Sequence, residues 1–372
     1  MFAERPSPMI EEVRTDWLRI PLPQPIADST HVLRFIDLIL VEVISGDHVG
    51  TCYMLSFDYA PALLKGIIDE ELRRHILGQP ADAIRGVYER NLAATEYIGQ
   101  EGVAMWGTAA IDVALWDLLA RRLGVPAAVL FGQNTKGVPV YGSGGWLSYT
   151  DEQLADEVSR YLARGFAGVK LKIGGGEDRD VERVHAVRRA IGAKCMLMVD
   201  ANQALTLDKA VRLARRLEDC GLEWFEEPFP RNDVDSYVQL SNKTEIPLAA
   251  GEREFGLQGF RRLVSARAIS VVQPDLLRVG GVTGWRLAAA LADTYLLRLA
   301  PHFYREYDLH LAASQPNTVA IESFDWLDPL LEHPFEVREG HAYIPDRPGF
   351  GVQFKQEAVR EYRYRPGTMQ SC

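Results

Sequence analysis

The sequence predicts an α/β barrel, a ring of strands alternating with helices, preceded by a smaller α+β domain. The first observation is a rhythm. From Val138 onward, short apolar runs of the kind that form buried strands alternate with segments of helical periodicity. The second is what ends those runs. Lys172 is followed by Asp200, Glu226, Glu252, Asp275, His302 and Glu322, at steps of 28, 26, 26, 23, 27 and 20 residues. A (β/α)8 barrel spends roughly 30 residues on each strand–helix unit, so a reactive group recurs once per unit at the C-terminal end of the strand. That rim is where such barrels build active sites. A single acid at a strand end is commonly loop solvation; six aligned groups and a lysine pair are not.

The elements follow in order. Residues 13–20 read as a strand, and 35–44 and 49–55 as two more joined by a turn at Ser45-Gly46-Asp47-His48. Between the first two, residues 21–31 read as a proline-rich polar loop. Helical patterns cover 60–76, 80–92 and 102–123. In the last, Val103, Trp106, Ala110, Val113, Leu115, Trp116 and Leu119 form a broad apolar stripe that Gly124 stops. Strands followed by helices make an α+β domain, ending at the turn-rich residues 133–137. Strand 138–141 then precedes helix 150–165, with Thr150 as N-cap. The lysine strand, helix 177–191, the Asp200 strand, helix 206–220 and the Glu226 strand follow, and the alternation continues to Glu322. Eight strands suit a closed barrel. Beyond it, 335–344 reads as a hairpin turning at Glu339-Gly340. The chain thus divides into an α+β domain at 1–133, a barrel at 134–328, and a segment at 329–372 that returns to the N-terminal domain.

Composition bounds the function. A chain of 372 residues accommodates one large domain and one smaller. Its 47% hydrophobic and 25% charged residues exclude a disordered chain. A net charge of −10 argues against nucleic acid or an anionic membrane as partner, because both need a basic surface. No run approaches the roughly 18 apolar residues of a membrane span, so none is expected. The start, MFAERPSPMIEEV, has no basic segment followed by an apolar one, so no signal peptide is expected. Cys52, Cys195, Cys220 and Cys372 lack CxxC spacing and read as reduced residues of a cytoplasmic protein, with Cys372 exposed at the chain end.

Residues 168–176 read Gly-Val-Lys-Leu-Lys-Ile-Gly-Gly-Gly. Alternation with period two puts Lys170 and Lys172 on one face of a strand whose apolar neighbours mark it as buried. Two ammonium groups there need counter-charges, since unpaired buried charge is expensive. The plain alternative is a pair of lysines snorkelling from an edge strand, and the acids downstream argue against it. Asp200, Glu226 and Glu252 come from consecutive strand ends. Neighbouring strands lie about 4.8 Å apart, so the three carboxylates can converge on one point. They repel one another unless a cation sits between them, and oxygen donors with positions open for a substrate suit Mg²⁺ better than Zn²⁺.

Asp275 and His302 also come from adjacent strands, and a carboxylate beside an imidazole fixes its tautomer and raises its basicity. Other histidines, such as His31, His48 and His310, read as structural. Around the ring, Lys172 and His302 approach the three acids from opposite sides, an arrangement for two acid–base groups flanking one substrate carbon. Repulsion from Lys170 and the nearby cation is expected to lower Lys172 below its usual value of about 10.4. Glu322, protonated or sharing a proton, is expected to donate to a developing oxyanion.

The set Lys170-x-Lys172, Asp200-Ala201-Asn202, Trp224-Phe225-Glu226-Glu227-Pro228, Gly251-Glu252, Gln273-Pro274-Asp275, Gly280-Gly281-Val282-Thr283-Gly284-Trp285, Pro301-His302 and Glu322 resembles the enolase superfamily, and within it the mandelate racemase group. The match spans nearly the whole chain. It implies a modified (β/α)7β barrel with an α+β capping domain built from both chain ends. It also implies that Asp200, Glu226 and Glu252 hold Mg²⁺, which binds the substrate carboxylate. Lys172 and His302 would be the two bases, with Asp275 orienting His302. Lys170 would tune Lys172 and contact the carboxylate, and Glu322 would hydrogen-bond the enolate. The shared step is removal of the proton α to a carboxylate, accelerated by charge stabilisation that is greatest in the transition state.

That step has several outcomes: dehydration to a 2-keto-3-deoxy acid, racemisation or epimerisation, or cycloisomerisation of an anhydro sugar acid. The catalytic set does not choose between them. In the family, substrate choice depends on cap loops. Here the first carries Asp28, Ser29, Thr30 and His31, with Arg34 just beyond, and the second carries Phe57, Asp58 and Tyr59. Asp28, Thr30, His31, Arg34 and Asn202 are the candidate substrate contacts. Polar groups fit a sugar acid, whereas an apolar lining fits an aromatic acid. The stretch from Tyr141 to Trp146, with Pro301-His302-Phe303, resembles acid-sugar dehydratases of the galactarate and talarate type. The expected function is therefore a Mg²⁺-dependent hydro-lyase acting on a sugar acid, as a homo-oligomer. An inactive relative that binds metal and anion is the non-enzymatic alternative. Lys172, Asp275 and His302 argue against it, since binding alone does not need two opposed bases.

Overall fold

A computed structural model gives the fold, and it describes residues 8–365; Cys372 and the first seven residues lie outside that range. Strands β1 (Glu12–Ala27), β2 (Val32–Ser45) and β3 (His48–Ser56) form an antiparallel sheet in that order. The two-residue turn between β2 and β3 is made by Gly46, at φ +56°, and Asp47. The first loop is shorter than expected, because β1 continues past Ile20 to Ala27. Its pairing with β2 breaks between Pro21 and Ile26 and then resumes. Pro23 and Pro25 fall in that break, where no ladder hydrogen bond is needed from them. Only Asp28 to His31 remain as the tip of a long hairpin.

The expected helix at 60–76 is α-helical over Pro61–Gly66 and Arg73–Ile76, with a π turn at Ile67–Leu72 between them. The next helix is Ile84–Thr95 and begins four residues late, because Pro80 bridges Met9 instead. Helix Val103–Leu123 ends at Gly124, whose φ of 69° closes it. By length and composition this helix would cross a bilayer, contrary to the expectation of no such segment, but most of its apolar stretch is buried within the protein. It is therefore read as a core helix.

The barrel strands are β4 (Gly137–Gly144), β5 (Gly168–Lys172), β6 (Met196–Asp200), β7 (Trp224–Glu226), β8 (Leu248–Ala250), β9 (Val271–Val272), β10 (Arg298–Leu299) and β11 (Ile321–Ser323). All pair in parallel with their sequence neighbours from β4 to β10. β11 pairs with β4, and Leu299 bridges Thr318 just before β11, so the ring closes. Helices follow β4 to β10 but not β11, which makes the barrel (β/α)7β. Thr150 caps the first barrel helix through a reciprocal capping box with Gln153.

The barrel interior is filled by Tyr141, Met198, Trp224, Ala249, Val271, Ala300 and Ala320. Lys170 is the register partner of Met198, and Met198 of Trp224, so a lysine stands where β5 would otherwise supply an apolar group. The cap docks on the barrel through Asp112, which accepts hydrogen bonds from Thr283 N (2.9 Å) and Thr283 Oγ1 (2.5 Å). Gly281, at φ +70°, leaves room for that contact: a Cβ there would lie 2.6 Å from Asp112 Oδ2. The Gly-rich motif at 280–285 is thus a docking element. After the barrel, β12 (Val337–Arg338) and β13 (His341–Tyr343) form the expected hairpin, and β13 adds to β4. The chain then reaches the small sheet, where Tyr364 N donates to Trp17 O at 2.7 Å.

Candidate active site

Strand register assembles the site. Lys172 is the cross-strand partner of Asp200, and Asp200 of Glu226, so three inward side chains share one level. Glu252 follows β8 by two residues. A ligand oxygen from each of Asp200, Glu226 and Glu252 lies within 4.8 Å of the others, and all three residues are buried. Lys172 Nζ donates to Asp200 Oδ2 at 2.5 Å. Lys170 Nζ donates to Glu226 Oε1 and lies 2.8 Å from Glu322 Oε1. Trp224 Nε1 (2.8 Å) and Gln273 Nε2 (2.7 Å) donate to Glu226 Oε2.

Carboxylates crowd this space. Burial, with the charges of Asp200, Glu322 and Glu252 added, pushes Glu226 up to about 7 despite Lys170. Burial raises Glu252 too, but His302, Arg253 and Lys172 outweigh it and hold its carboxyl below the usual range. Glu252 Oε2 has no hydrogen-bond donor. Three buried oxygen donors with excess negative charge fit a hard divalent cation.

For Lys172, the protein's own groups oppose the expected lowering. Burial works in that direction, and so does Lys170, but the Asp200 carboxylate raises it on balance. Lys170 is itself held between Glu226 and Glu322. The expectation of a proton on Glu322 is corrected. Burial favours the neutral acid, but Lys170 and His302 hold it below the usual carboxylate range. Its Oε2 accepts from Phe303 N at 3.0 Å.

His302 and Asp275 are paired twice, as a parallel β-bridge and through Nδ1 and Oδ2 at 2.9 Å. The other oxygen of Asp275 accepts from Leu277 N (3.0 Å) and Arg278 N (2.9 Å), which fixes the carboxylate. Nδ1 therefore carries the proton, and Nε2, 3.3 Å from Glu252 Oε2, faces the metal-type triad. Burial lowers His302, but Glu252, Glu322 and Asp275 raise it on balance.

A cavity of about 220 Å³ lies over this group and is lined by both Lys172 and His302. Of the candidate substrate contacts, Asp28, His31 and Asn202 line it, whereas Thr30 and Arg34 do not. Thr30 instead bonds Asp28 Oδ1 (3.1 Å) and His31 Nδ1 (2.8 Å) at the exposed tip. Burial works to raise Asp28, but its hydrogen bond with His31 and the charge of Lys172 bring it down to about 2. Phe57 and Tyr59 of the second loop also line the cavity.

Sequence reasoning missed Arg253 and Arg278, which stand one residue after Glu252 and three after Asp275, and so were open to the same strand-end criterion. It also missed an aromatic wall of Phe303, Phe324 and Trp326 beside Trp146. Phe324 and Trp326 stack at 4.5 Å between ring centroids, and Trp146 stacks on Trp326 at 5.8 Å. Asn202, Gln203, Glu227 and Phe303 have φ of 42°, 68°, 37° and 76°. Left-handed backbone outside glycine costs about 1–3 kcal/mol per residue and concentrates at functional sites.

A family model described as "Mandelate racemase / muconate lactonizing enzyme, N-terminal domain" matches residues 12–132, and one described as "Enolase C-terminal domain-like" matches 153–358. The chain is 34% identical to an L-talarate/galactarate dehydratase of Salmonella typhimurium, over 94% of this chain and 90% of that protein. It is 35% identical to a 3,6-anhydro-alpha-L-galactonate cycloisomerase of Streptomyces coelicolor, over 92% and 96% of the two. Its fold is similar to the crystal structure of L-talarate dehydratase from Polaromonas sp. JS666 complexed with Mg and L-glucarate, with a TM-score of 0.90 and 32% identity, covering 96% and 98% of the two chains.

Proposed function

We propose that this chain, which belongs to the mandelate racemase / muconate lactonizing enzyme family of the enolase superfamily, is a Mg²⁺-dependent acid-sugar dehydratase. The observation that carries the reading is one cavity bordered by Lys172 and by the His302–Asp275 pair above three converging carboxylates. The dehydratase relatives, one of them complexed with Mg and L-glucarate, support the choice of metal and substrate class. The same reading divides the chain into a cap at 1–133, a barrel at 134–328 and a closing segment at 329–372.

Asp200, Glu226 and Glu252 would hold the metal, which would supply positive charge to stabilise the carboxylate and the anion that forms from it. Lys172 is charged in its pair with Asp200. His302 Nε2 is the second acid–base atom, its ring kept in one tautomer by Asp275. One of the two takes the proton from C2. The C3–O bond then breaks with a proton delivered by the other, releasing water and an enol that tautomerises to a 2-keto-3-deoxy acid. Lys170, charged between Glu226 and Glu322, is buried and does not line the cavity, so it acts through those two carboxylates, and Glu322 acts as an ionised partner of Lys170 and His302. Asp28, His31 and Asn202 bind substrate hydroxyls.

Solvent-deuterium exchange into the α position of sugar acids tests the shared step. Exchange that requires Mg²⁺ supports the reading, and its absence from every sugar acid that binds would favour an inactive anion-binding relative.

A second reading has its own observation. The aromatic wall of Trp146, Phe303, Phe324 and Trp326 fits the C–H face of a ring, which favours cycloisomerisation of an anhydro sugar acid, the activity named for one relative. A product formed without loss of water would identify it.

A further inference from the structure

A second cavity, about 590 Å³, opens beside the first between the cap and the segments that follow β6, β7, β8 and β9. Tyr59, Trp106, Arg253 and Arg278 line both cavities. With Arg231 and Arg262, four guanidinium groups border the second one, and no carboxylate is among its lining residues. In a chain of net charge −10 this is the reverse of the overall composition.

Three of the four arginines are compensated by neighbouring acids. Arg231 lies 3.0 Å from Glu101 and 3.8 Å from Glu254, and Arg262 lies 3.6 Å from Glu254. Arg253 lies 3.4 Å from Glu227 and 3.3 Å from Glu252. Arg278 differs: among the described residues it pairs with no carboxylate. Its Nη1 donates to the backbone oxygen of Glu252 at 2.8 Å, and its guanidinium sits 5.5 Å from the centre of the Trp106 ring. One hydrogen bond and one stacking contact fix the plane of the group and leave other donors of its fork free.

We infer that the second cavity is an anion-binding vestibule to the active-site cavity, with Arg278 as the group that recognises a small carboxylate. A part-buried cation without a counter-charge favours an incoming anion, and a carboxylate matches the guanidinium fork through two parallel hydrogen bonds. A cleft of one charge also raises the local concentration of the opposite ion. Because Arg278 lines both cavities, a carboxylate captured there stands at the entrance to the catalytic one. Naming the substrate as the natural occupant rests on the proposed function; the anion site does not.

The experiment uses full-length protein stripped of divalent cations with EDTA, so that metal-dependent binding in the catalytic cavity does not contribute. Succinate is titrated by calorimetry, with intrinsic tryptophan fluorescence as a second readout. Wild-type protein is expected to bind succinate saturably. Arg278→Gln should weaken binding by about fivefold or more, and Arg278→Lys should restore part of the loss. Arg262→Gln, at a compensated and exposed arginine, serves as a folded control with a smaller effect. No saturable binding by wild type, or equal affinity in wild type and a folded Arg278→Gln variant, would overturn the inference. Arg278-dependent binding in a protein that dehydrates no sugar acid would leave the vestibule standing and remove only the functional reading.

Discussion

His302 and Asp275 are joined at two levels: their backbones form a parallel β-bridge, and their side chains meet at 2.9 Å through Nδ1 and Oδ2. The bridge sets the distance between the two Cα atoms, and the hydrogen bonds from Leu277 N and Arg278 N hold the carboxylate in place. The orientation of the imidazole is therefore built into the barrel.

Asp275→Asn keeps the shape of this pair but lets the amide donate to Nδ1, which moves the ring proton to Nε2. A loss of about 10²- to 10⁴-fold in kcat/KM is expected, with Mg²⁺ affinity little changed. His302→Asn should block α-proton exchange for one configuration at C2, and Lys172→Ala for the other. Equal loss of exchange for every substrate in both variants would leave the two-base assignment unsupported.

Metal affinity should separate two adjacent glutamates. Glu226 belongs to the converging triad, whereas Glu227 bonds Gln203 Nε2 at 3.0 Å and lies 3.4 Å from Arg253. Glu226→Gln is expected to weaken Mg²⁺ binding by at least the roughly 10- to 100-fold typical of losing an outer-shell partner, and Glu227→Gln by less. Calorimetric titration of the two variants is the check, and the reverse order would place the metal elsewhere.

Stability should carry a pH signature from Glu157, beneath the end of β4. Burial raises its carboxyl from 4.5 to about 7, although Gly145 N donates to it at 2.5 Å. The folded state then binds more protons than the unfolded one between those values. Raising the pH through this window costs up to about 3 kcal/mol of stability from this group. Glu157→Gln removes the term, so Tm of the variant minus Tm of wild type should increase from pH 5 to pH 8. A difference independent of pH would show that Glu157 does not titrate in that window.

Much of this was legible in the sequence because strand register converts spacing into geometry. Lys172, Asp200 and Glu226 are 28 and 26 residues apart and become cross-strand partners. The long hairpin of β1 and β2 was less legible, since prolines read as loop until the break in the ladder that accommodates them is seen. The counter-ions of Lys172 and Glu322 were not legible, because spacing does not reveal which partner each group reaches; Asp200 takes Lys172, and Lys170 takes Glu322. The aromatic wall combines Trp146, Phe303, and Phe324 with Trp326 from three separate loops, and no local pattern joins them.

The most direct test of the central claim is product analysis with Mg²⁺ across a library of mono- and diacid sugars, using a carbonyl reagent to detect keto acids. A racemase gains nothing from contacts to distal hydroxyls, whereas a dehydratase uses remote binding energy to align the β-hydroxyl with its acid. The account predicts a 2-keto-3-deoxy acid from at least one sugar acid, formed only with metal present and lost in His302→Asn. Optical inversion of a small apolar α-hydroxy acid at high kcat/KM, with no keto acid from any sugar acid, would contradict it.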